Sequence, residues 1–201
     1  MADAGRVIAG SARGLRLLAP GPATRPLGDR VKETLFAILE PDLRGAAVLD
    51  LFAGSGAAGI EALSRGATSA TFVEREATAV RAIEDNLRRT HLSGGRVVRA
   101  DVGDWLASRD RAAERFDIVI VDPPYADVGA LSATLAQLGS RSSGLLGPGA
   151  RVVAKHFWRD RPDAVVGLLA SERERRFGET ALTFYRRAAE SPVKGADEEG
   201  G

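Results

Sequence analysis

The sequence contains no cysteine, only two histidines and no long apolar run. The absence of cysteine excludes disulfides, thiolate nucleophiles and cysteine-ligated metal sites. No segment approaches the roughly 20 apolar residues of a membrane-spanning helix, and the first residues lack the apolar core of a signal peptide. Neither histidine has a ligand-like partner. We therefore expect a cytoplasmic protein that binds no metal ion and no membrane, with a monomer as the default state.

A large excess of charge is also missing, because the formal net charge is only +1. The charge is unevenly distributed, since residues 4–28 contain four arginines and no acid. Residues 188–201 are small, polar and acidic, which predicts a disordered tail. The rest of the chain is more basic than the total suggests. This favours a nucleic-acid partner, with an ordinary solvated surface as the alternative.

The order of the predicted elements indicates an α/β protein with three parts. Residues 1–28 contain two short apolar runs around a Gly-rich turn, which predicts a small β-hairpin. Strands and helices then alternate through residues 29–187, as they do in βαβ units, and predict one domain with a mostly parallel sheet. Two strand-like runs, 172–177 and 181–187, close this domain as an antiparallel pair. The acidic tail completes the chain.

The strand predicted at 116–121 is followed directly by Asp122-Pro123-Pro124-Tyr125. Ligands bind at the carboxyl ends of the strands in open parallel sheets. Each proline fixes its own backbone and has no N–H, so the carbonyls before the prolines are held in place and free to accept hydrogen bonds. The Asp122 carboxylate and the Pro123 carbonyl can hold both hydrogens of an exocyclic amine while Tyr125 stacks on its ring. The motif predicts a nucleobase amine site, with a plain Pro-rich turn as the alternative.

A glycine-rich loop follows the strand predicted at 46–51. Its glycines have the spacing of a dinucleotide-binding loop, and Glu74 follows at the expected distance of about 20 residues; they are Gly54, Gly56 and Gly59. The pattern alone suits an NAD-dependent dehydrogenase. Asp50, however, stands at the mouth of the turn, where its carboxylate would repel a pyrophosphate. The same carboxylate suits a ligand with an ammonium and a sulfonium group, which favours S-adenosylmethionine.

Acidic residues recur at the ends of the predicted strands, namely Asp50, Glu74, Asp101 and Asp122. Glu74 can accept hydrogen bonds from both ribose hydroxyls, and Asp101 can accept one from an adenine amine beside the Val102 backbone. Phe52 is expected to line the same cofactor pocket, with simple core packing as its alternative. Each acid alone could be a helix N-cap. Together they predict a row of ligand-binding groups.

These motifs resemble those of class I S-adenosylmethionine-dependent methyltransferases that methylate amines. More narrowly, the chain resembles the bacterial 16S rRNA guanine-N2 methyltransferase family of the RsmD type. The narrower resemblance rests on the segments 6–17, 24–26, 29–36, 50–56 and 122–125, and it extends from about Arg6 to Arg187. The chain departs from the family pattern at Leu27-Gly28 and at Lys155-His156, where an acidic residue is more usual.

The resemblance implies a Rossmann-like fold with a seven-stranded, mostly parallel sheet that ends in an antiparallel hairpin. It implies methylation of a guanine N2 amine, of the guanine 966 type, in 16S rRNA of the small ribosomal subunit or its assembly intermediate. The N-terminal hairpin and the residues after it would hold the RNA backbone, through Arg6, Arg13, Arg16, Arg25, Arg30 and Lys32. His156 is expected on the surface or against RNA.

Three other functions remain open. The same Asp-Pro-Pro-Tyr motif serves adenine N6 and cytosine N4 methylation of RNA or DNA; a DNA enzyme would favour a separate recognition domain, for which the chain is short. An NAD-dependent oxidoreductase would need a hydride-transfer acid beside the glycine-rich loop, and none accompanies it. A non-catalytic RNA-binding assembly protein would have no need of the Asp122–Tyr125 motif.

Overall fold

The computed structural model describes residues 3–21, 27–108, 114–125, 127 and 129–188. Arg25 and residues 189–201 of the predicted tail lie outside the described residues. Ala188 still belongs to the folded domain, because its N–H donates to the Leu168 carbonyl at 2.8 Å. None of the helices in the described ranges is both long and apolar enough to cross a membrane.

Helices and strands alternate along most of the described chain. The strands are β1 (Asp3–Arg6), β2 (Arg16–Leu18), β3 (Ala47–Leu51), β4 (Ser69–Glu74), β5 (Gly95–Arg99), β6 (Phe116–Val121), β7 (Leu146–Phe157), β8 (Val165–Val166), β9 (Leu169–Phe177) and β10 (Thr180–Arg187). The helices are α1 (Asp29–Leu43), α2 (Ala57–Ser64), α3 (Ala77–Thr90), α4 (Val102–Ala107) and α5 (Ala130–Gly139).

The main sheet has the strand order β5-β4-β3-β6-β7-β10-β9-β8. Strands β3 to β7 are parallel, and β10 pairs antiparallel with both β7 and β9. The prediction of a mostly parallel sheet closed by an antiparallel hairpin is confirmed. The number of strands differs from the expected seven. The two-residue strand β8 pairs with β9, so the described sheet has eight strands.

The sheet is sandwiched between two apolar layers, as its central strands require. Residues of β3 and β6 are buried on both faces, which explains why these strands read as continuous apolar runs rather than alternating ones. Phe36, Phe72 and Phe184 belong to the layer that contains α1, α2 and α3. Trp105, Phe116 and other buried residues of β6, β7 and α5 form the second layer. Because β3 to β7 run parallel, their carboxyl ends lie together at one edge of the sheet.

The N-terminal hairpin, formed by β1 and β2, packs on the domain. Leu17 and other apolar residues of the hairpin belong to the first core layer. Glu61 of α2 accepts hydrogen bonds from the Ile8 and Ala9 N–H groups at 2.8 and 3.0 Å, and the Ser64 hydroxyl accepts one from Ala12. The hairpin is thus attached to α2 through a buried carboxylate, and its basic side chains are held next to the main sheet.

Candidate active site

A cavity of about 640 Å³ opens at the carboxyl edge of the parallel strands. Its size lies within the usual range for small-molecule sites. The charged residues that line it are mostly acidic. The acids are Asp50, Glu74, Glu76, Asp101, Asp122 and Asp127, and the basic residues are Arg75 and Lys155. Such a cavity disfavours a pyrophosphate and suits a ligand with cationic groups, as the sequence predicted from Asp50.

Asp50 lies near the carboxyl end of β3, just before the glycine-rich loop, and its side chain contacts the first turn of α2. Its Oδ2 accepts a hydrogen bond from the Gly59 N–H at 2.9 Å, and its side chain is buried. Burial raises the pKa of Asp50 to about 8, opposed by the Gly59 hydrogen bond and reinforced by the neighbouring Asp122 and Glu74 carboxylates. A cation placed in the cavity would relieve this penalty, because it favours the ionised form.

The loop itself is held in shape by the next strand. Glu74, at the end of β4, accepts hydrogen bonds from the Gly54 N–H at 2.8 Å and from the Glu76 N–H at 2.9 Å. Phe52 and Gly54 both have positive φ, 60° and 56°. A positive φ is uncommon for phenylalanine, and this backbone directs Phe52 to the cavity wall, so the predicted pocket role agrees with its position.

Gly56 and Gly59 shape the start of α2 rather than the cavity surface. Gly56 precedes the helix with φ 74°, and a Cβ there would lie 3.1 Å from Ile83. At Gly59 an added Cβ would lie 2.3 Å from the Phe72 ring. Neither glycine is among the residues that line the cavity. Both allow α2 to approach the sheet and the loop to turn.

Asp101 and Val102 lie at the start of α4, on the cavity wall beside β5. Asp101 is exposed and caps the helix, because its Oδ1 accepts from the Gly103 N–H at 2.8 Å and from the Asp104 N–H at 3.3 Å. Val102 is buried. The structure thus gives Asp101 the N-cap role that the sequence left as an alternative, and also places it where a ligand can reach its carboxylate.

The Asp122–Tyr125 motif lines the same cavity at the end of β6, the strand next to β3. Oδ1 of Asp122 lies 2.6 Å from Nζ of Lys155, while Tyr125 is 44% exposed and its hydroxyl lies 2.9 Å from Oγ1 of Thr180. Burial raises the pKa of Asp122, and the Lys155 ammonium opposes that rise. Among the described residues no hydrogen bond reaches the Pro123 carbonyl. This carbonyl and the remaining Asp122 oxygen can therefore accept from one amine.

Lys155 is a site residue that sequence reasoning missed. Val121 of β6 is paired with Ala154 of β7, so the residues that follow them, Asp122 and Lys155, are neighbours at the sheet edge. Nζ of Lys155 also lies 5.3 Å from the centroid of the Tyr125 ring. Parallel pairing of the two predicted strands could have indicated this contact, since both end at the same edge.

Two expectations about basic residues were wrong. Lys32, predicted to contact RNA, is fully buried; its Nζ donates to the Arg6 carbonyl, and burial lowers its pKa. The hairpin covers it, which helical periodicity does not show. His156, predicted at the surface, is also buried, with Nε2 2.9 Å from the Thr183 hydroxyl and Nδ1 2.8 Å from the Phe157 carbonyl.

The other predicted RNA contacts among the described residues lie in the N-terminal hairpin and at the start of α1. Arg13 and Arg30 are exposed. Arg6 is paired with Asp29 at 3.2 Å, and Arg16 is paired with Asp3. These exposed guanidiniums lie on the hairpin and at the start of α1, and ion pairs partly neutralise two of them.

The fold and this edge of the sheet define a class I S-adenosylmethionine-dependent methyltransferase. The chain matches the family described as conserved hypothetical protein 95 over residues 5–186. It is 36% identical over 186 residues to Ribosomal RNA small subunit methyltransferase D of Escherichia coli, covering 92% of this chain and 91% of that protein. The chain belongs to this family, the RsmD family.

Solved structures agree with this assignment. The yhhF protein of Escherichia coli superposes with a TM-score of 0.81 at 34% identity and covers 92% of this chain and 98% of its own. A hypothetical protein of Thermus thermophilus, TTHA0928, gives a TM-score of 0.74 at 37% identity, with 89% and 97% covered. The predicted family is thereby confirmed, and the predicted cofactor, S-adenosylmethionine, is that of the methyltransferase family to which the chain belongs.

Proposed function

We propose that this protein methylates the exocyclic N2 amine of one guanine in 16S rRNA, on a small ribosomal subunit or its assembly intermediate. The proposed activity is that of a 16S rRNA methyltransferase specific for N2 of guanine 966. The observation that carries the proposal is the shared cavity, which the Asp122–Tyr125 motif lines together with Asp50 and Glu74. Similarity to an enzyme named for the small-subunit rRNA supports the substrate class. The amine chemistry comes from the motif.

In this proposal the loop side of the cavity holds S-adenosylmethionine. Asp50 faces its cationic amino-acid part, Glu74 accepts from the ribose hydroxyls, and Asp101 with Val102 contacts the adenine. The donor set fits, because a buried carboxyl with a pKa of about 8 gains from a nearby cation. Gly54 brings the loop backbone close, and Phe52 covers one side. The cofactor supplies an electrophilic methyl group.

The motif side holds and orients the guanine amine. Its lone pair is delocalised into the base, so the free amine is a poor nucleophile. Asp122 and the Pro123 carbonyl accept its two hydrogens and turn the lone pair out of the ring plane, while Tyr125 stacks on the base. Such orientation can supply up to about 7–11 kcal/mol of the barrier.

Proton transfer in this scheme needs no strong base. The amine proton becomes acidic only when the new nitrogen–carbon bond forms, and the Asp122 carboxylate is then in position to accept it. Because the target base must leave its stack to reach the cavity, Tyr125 provides a replacement stacking partner.

The test is methyl transfer from labelled S-adenosylmethionine to small ribosomal subunits that lack their natural modification, followed by nucleoside mass spectrometry. We expect N2-methylguanosine at one 16S position. Methyl on adenine or cytosine would overturn the guanine assignment while keeping the amine chemistry. Cofactor binding with no incorporation into any RNA would contradict the proposed function.

A further inference from the structure

A cluster of two arginines and one tryptophan lies beyond Tyr125 at the same edge of the sheet. The guanidinium carbon of Arg176 is 3.7 Å from the centroid of the Trp158 ring, and that of Arg159 is 4.9 Å away. Both arginines are exposed, and Trp158 is half-buried. We call these three residues the arginine–tryptophan patch. None of them has a role in the cavity described above.

The stacking fixes the Arg176 guanidinium in place. Its Nε donates to the Gly178 carbonyl at 2.8 Å, and the indole ring covers one face. Stacking leaves the in-plane N–H groups of the two terminal nitrogens available. A planar, preoriented guanidinium matches two oxygens of a phosphate, and less freedom is lost when it binds. The geometry is that of a prepared anion contact.

Nearby acids do not neutralise the patch by contact. On β9, Glu172 is paired with Arg151 and Arg186, and Glu174 is paired with Arg161. Two further acids lie within three residues of the patch arginines in the chain, namely Asp160 and Glu179, and both are exposed. Within the described ranges, neither these two nor any other carboxylate lies within 4.0 Å of a nitrogen of the patch arginines. The guanidiniums therefore keep their charge for an external partner.

The position of the patch relates it to the active site. The Tyr125 hydroxyl contacts Thr180, and Thr180 is paired with Phe157 on one side and Phe177 on the other. Those two residues adjoin Trp158 and Arg176 in the chain. From β6 to β9 there are three strand spacings of about 4.8 Å, or about 14 Å in all. A single-stranded RNA spans this distance in a few nucleotides.

We propose that the arginine–tryptophan patch binds a phosphate of the substrate RNA, a few nucleotides from the target base. The inference rests on the proposed function, because it takes RNA as the substrate and Tyr125 as the stacking residue for the target. The contact positions the strand and reads no base. Together with the N-terminal hairpin, it would hold RNA on both sides of the cavity.

Arg176→Ala tests the proposal, with Arg175→Ala as a matched control. Arg175 carries the same charge on the neighbouring position of β9, but successive side chains of a strand point to opposite faces, and it lines a shallow groove beside α1. The probe is the RNA of the proposed substrate, in the form of small ribosomal subunits that lack their natural modification, at several salt concentrations. For Arg176→Ala we expect RNA affinity to fall several-fold and the slope of log K against log salt to decrease by about 0.7.

Arg176→Lys keeps the charge but not the planar stack, so we expect an intermediate affinity. In all three variants the affinity for S-adenosylmethionine and the turnover at saturating RNA should stay as in the wild type. Equal effects of Arg176→Ala and Arg175→Ala on RNA affinity and slope would overturn the proposal. RNA binding without methylation by the wild type would instead defeat the proposed function, and the affinity comparison would still decide the patch. A wild type that binds no RNA would overturn both.

Discussion

Nζ of Lys155 lies 2.6 Å from Oδ1 of Asp122, and this pair stands at the centre of the candidate active site. The two side chains are 14% and 25% exposed. The ammonium group favours the ionised form of this poorly solvated carboxylate and so opposes the rise in pKa that burial causes. It engages only one oxygen, so the other stays available for an amine. The departure of the chain from the family pattern at Lys155 therefore has a direct consequence for the motif.

Replacement of Lys155 by methionine should shift the pH dependence of methyl transfer. Without the ammonium, burial raises the pKa of Asp122 further, so a larger fraction of the carboxyl is protonated at a given pH. The acidic limb of the rate profile should move to higher pH, with a larger loss at pH 6.5 than at pH 9. Single-turnover rates between these values measure it.

Lys155→Arg is the control for that experiment, because it retains the positive charge. Its acidic limb should stay near that of the wild type. If Lys155→Met loses the same factor at every pH, the lysine does not act through the ionisation of Asp122.

Asp122→Ala should abolish turnover while it leaves cofactor binding nearly unchanged. The substitution removes the acceptor that orients the amine, and a misplaced reacting group costs about 100-fold or more in rate. The affinity for S-adenosylmethionine, measured by calorimetry, should stay within a few fold. Asp127→Ala is a suitable control, since Asp127 is an exposed acid that lines the same cavity. Loss of cofactor binding by Asp122→Ala would show that the site is misassigned.

The sequence predicted the sheet edge well because strand periodicity and strand ends are local features. Asp50, Glu74 and Asp122 follow short apolar runs, and parallel strands must end together. Lys32 could not be placed in the same way. It lies on α1 at a position that only the N-terminal hairpin covers, and a carbonyl of that hairpin accepts its hydrogen bond.

His156 and the Lys155–Asp122 pair were missed for a related reason. The burial of His156 depends on its pairing with Ala181 of β10, a strand that comes 25 residues later. The local sequence contains no sign of that partner. Interactions between distant segments thus decided both the wrong assignments and the missed site residue.

Asp50→Asn should change how stability depends on pH. The folded carboxyl has a pKa of about 8, and the usual value is 3.8. Between these two values the folded protein holds a proton that the unfolded chain has released. The free energy of unfolding therefore falls as pH rises through this window, by up to about 1.4 kcal/mol per pH unit from this group. Denaturant unfolding at pH 6 and pH 8 should show this decrease in the wild type and a smaller one in Asp50→Asn.

The same carboxyl should link cofactor binding to pH. A bound cation favours ionised Asp50, so the affinity of the wild type for S-adenosylmethionine should be higher at pH 8 than at pH 6. Asp50→Asn should bind more weakly and lose that dependence. Parallel pH profiles in the two proteins would contradict the position given to Asp50 in the cofactor site.

Glu61→Ala should loosen the N-terminal hairpin. The substitution leaves the Ile8 and Ala9 N–H groups without their acceptor and removes the buried partner of Arg65, which lies 2.8 Å away. Breaking a buried ion pair from one side costs about 3–5 kcal/mol. Urea unfolding measures the decrease in the free energy of unfolding, and amide hydrogen exchange should accelerate at Ile8 and Ala9 first.

Glu40→Ala is the matched control for Glu61→Ala. Glu40 is an exposed acid that also pairs with Arg65, at 3.1 Å, but it does not contact the hairpin. Glu40→Ala should lower the free energy of unfolding by no more than about 1 kcal/mol, which is the usual contribution of an exposed ion pair. Similar losses for the two variants would mean that Glu61 acts only as the partner of Arg65.

Charge reversal at Arg13 should raise the KM for RNA without changing the affinity for S-adenosylmethionine. Arg13 is exposed in the turn of the hairpin, and no acid among the described residues pairs with it, whereas Arg16 is already paired with Asp3. Arg13→Glu should therefore have a larger effect than Arg16→Glu, and both should weaken as salt is increased. Arg44→Glu is the control, because Arg44 is exposed just before β3, at the opposite edge of the sheet. If Arg13→Glu and Arg44→Glu change KM equally, the effect is one of total charge, and the hairpin is not part of the RNA-binding surface.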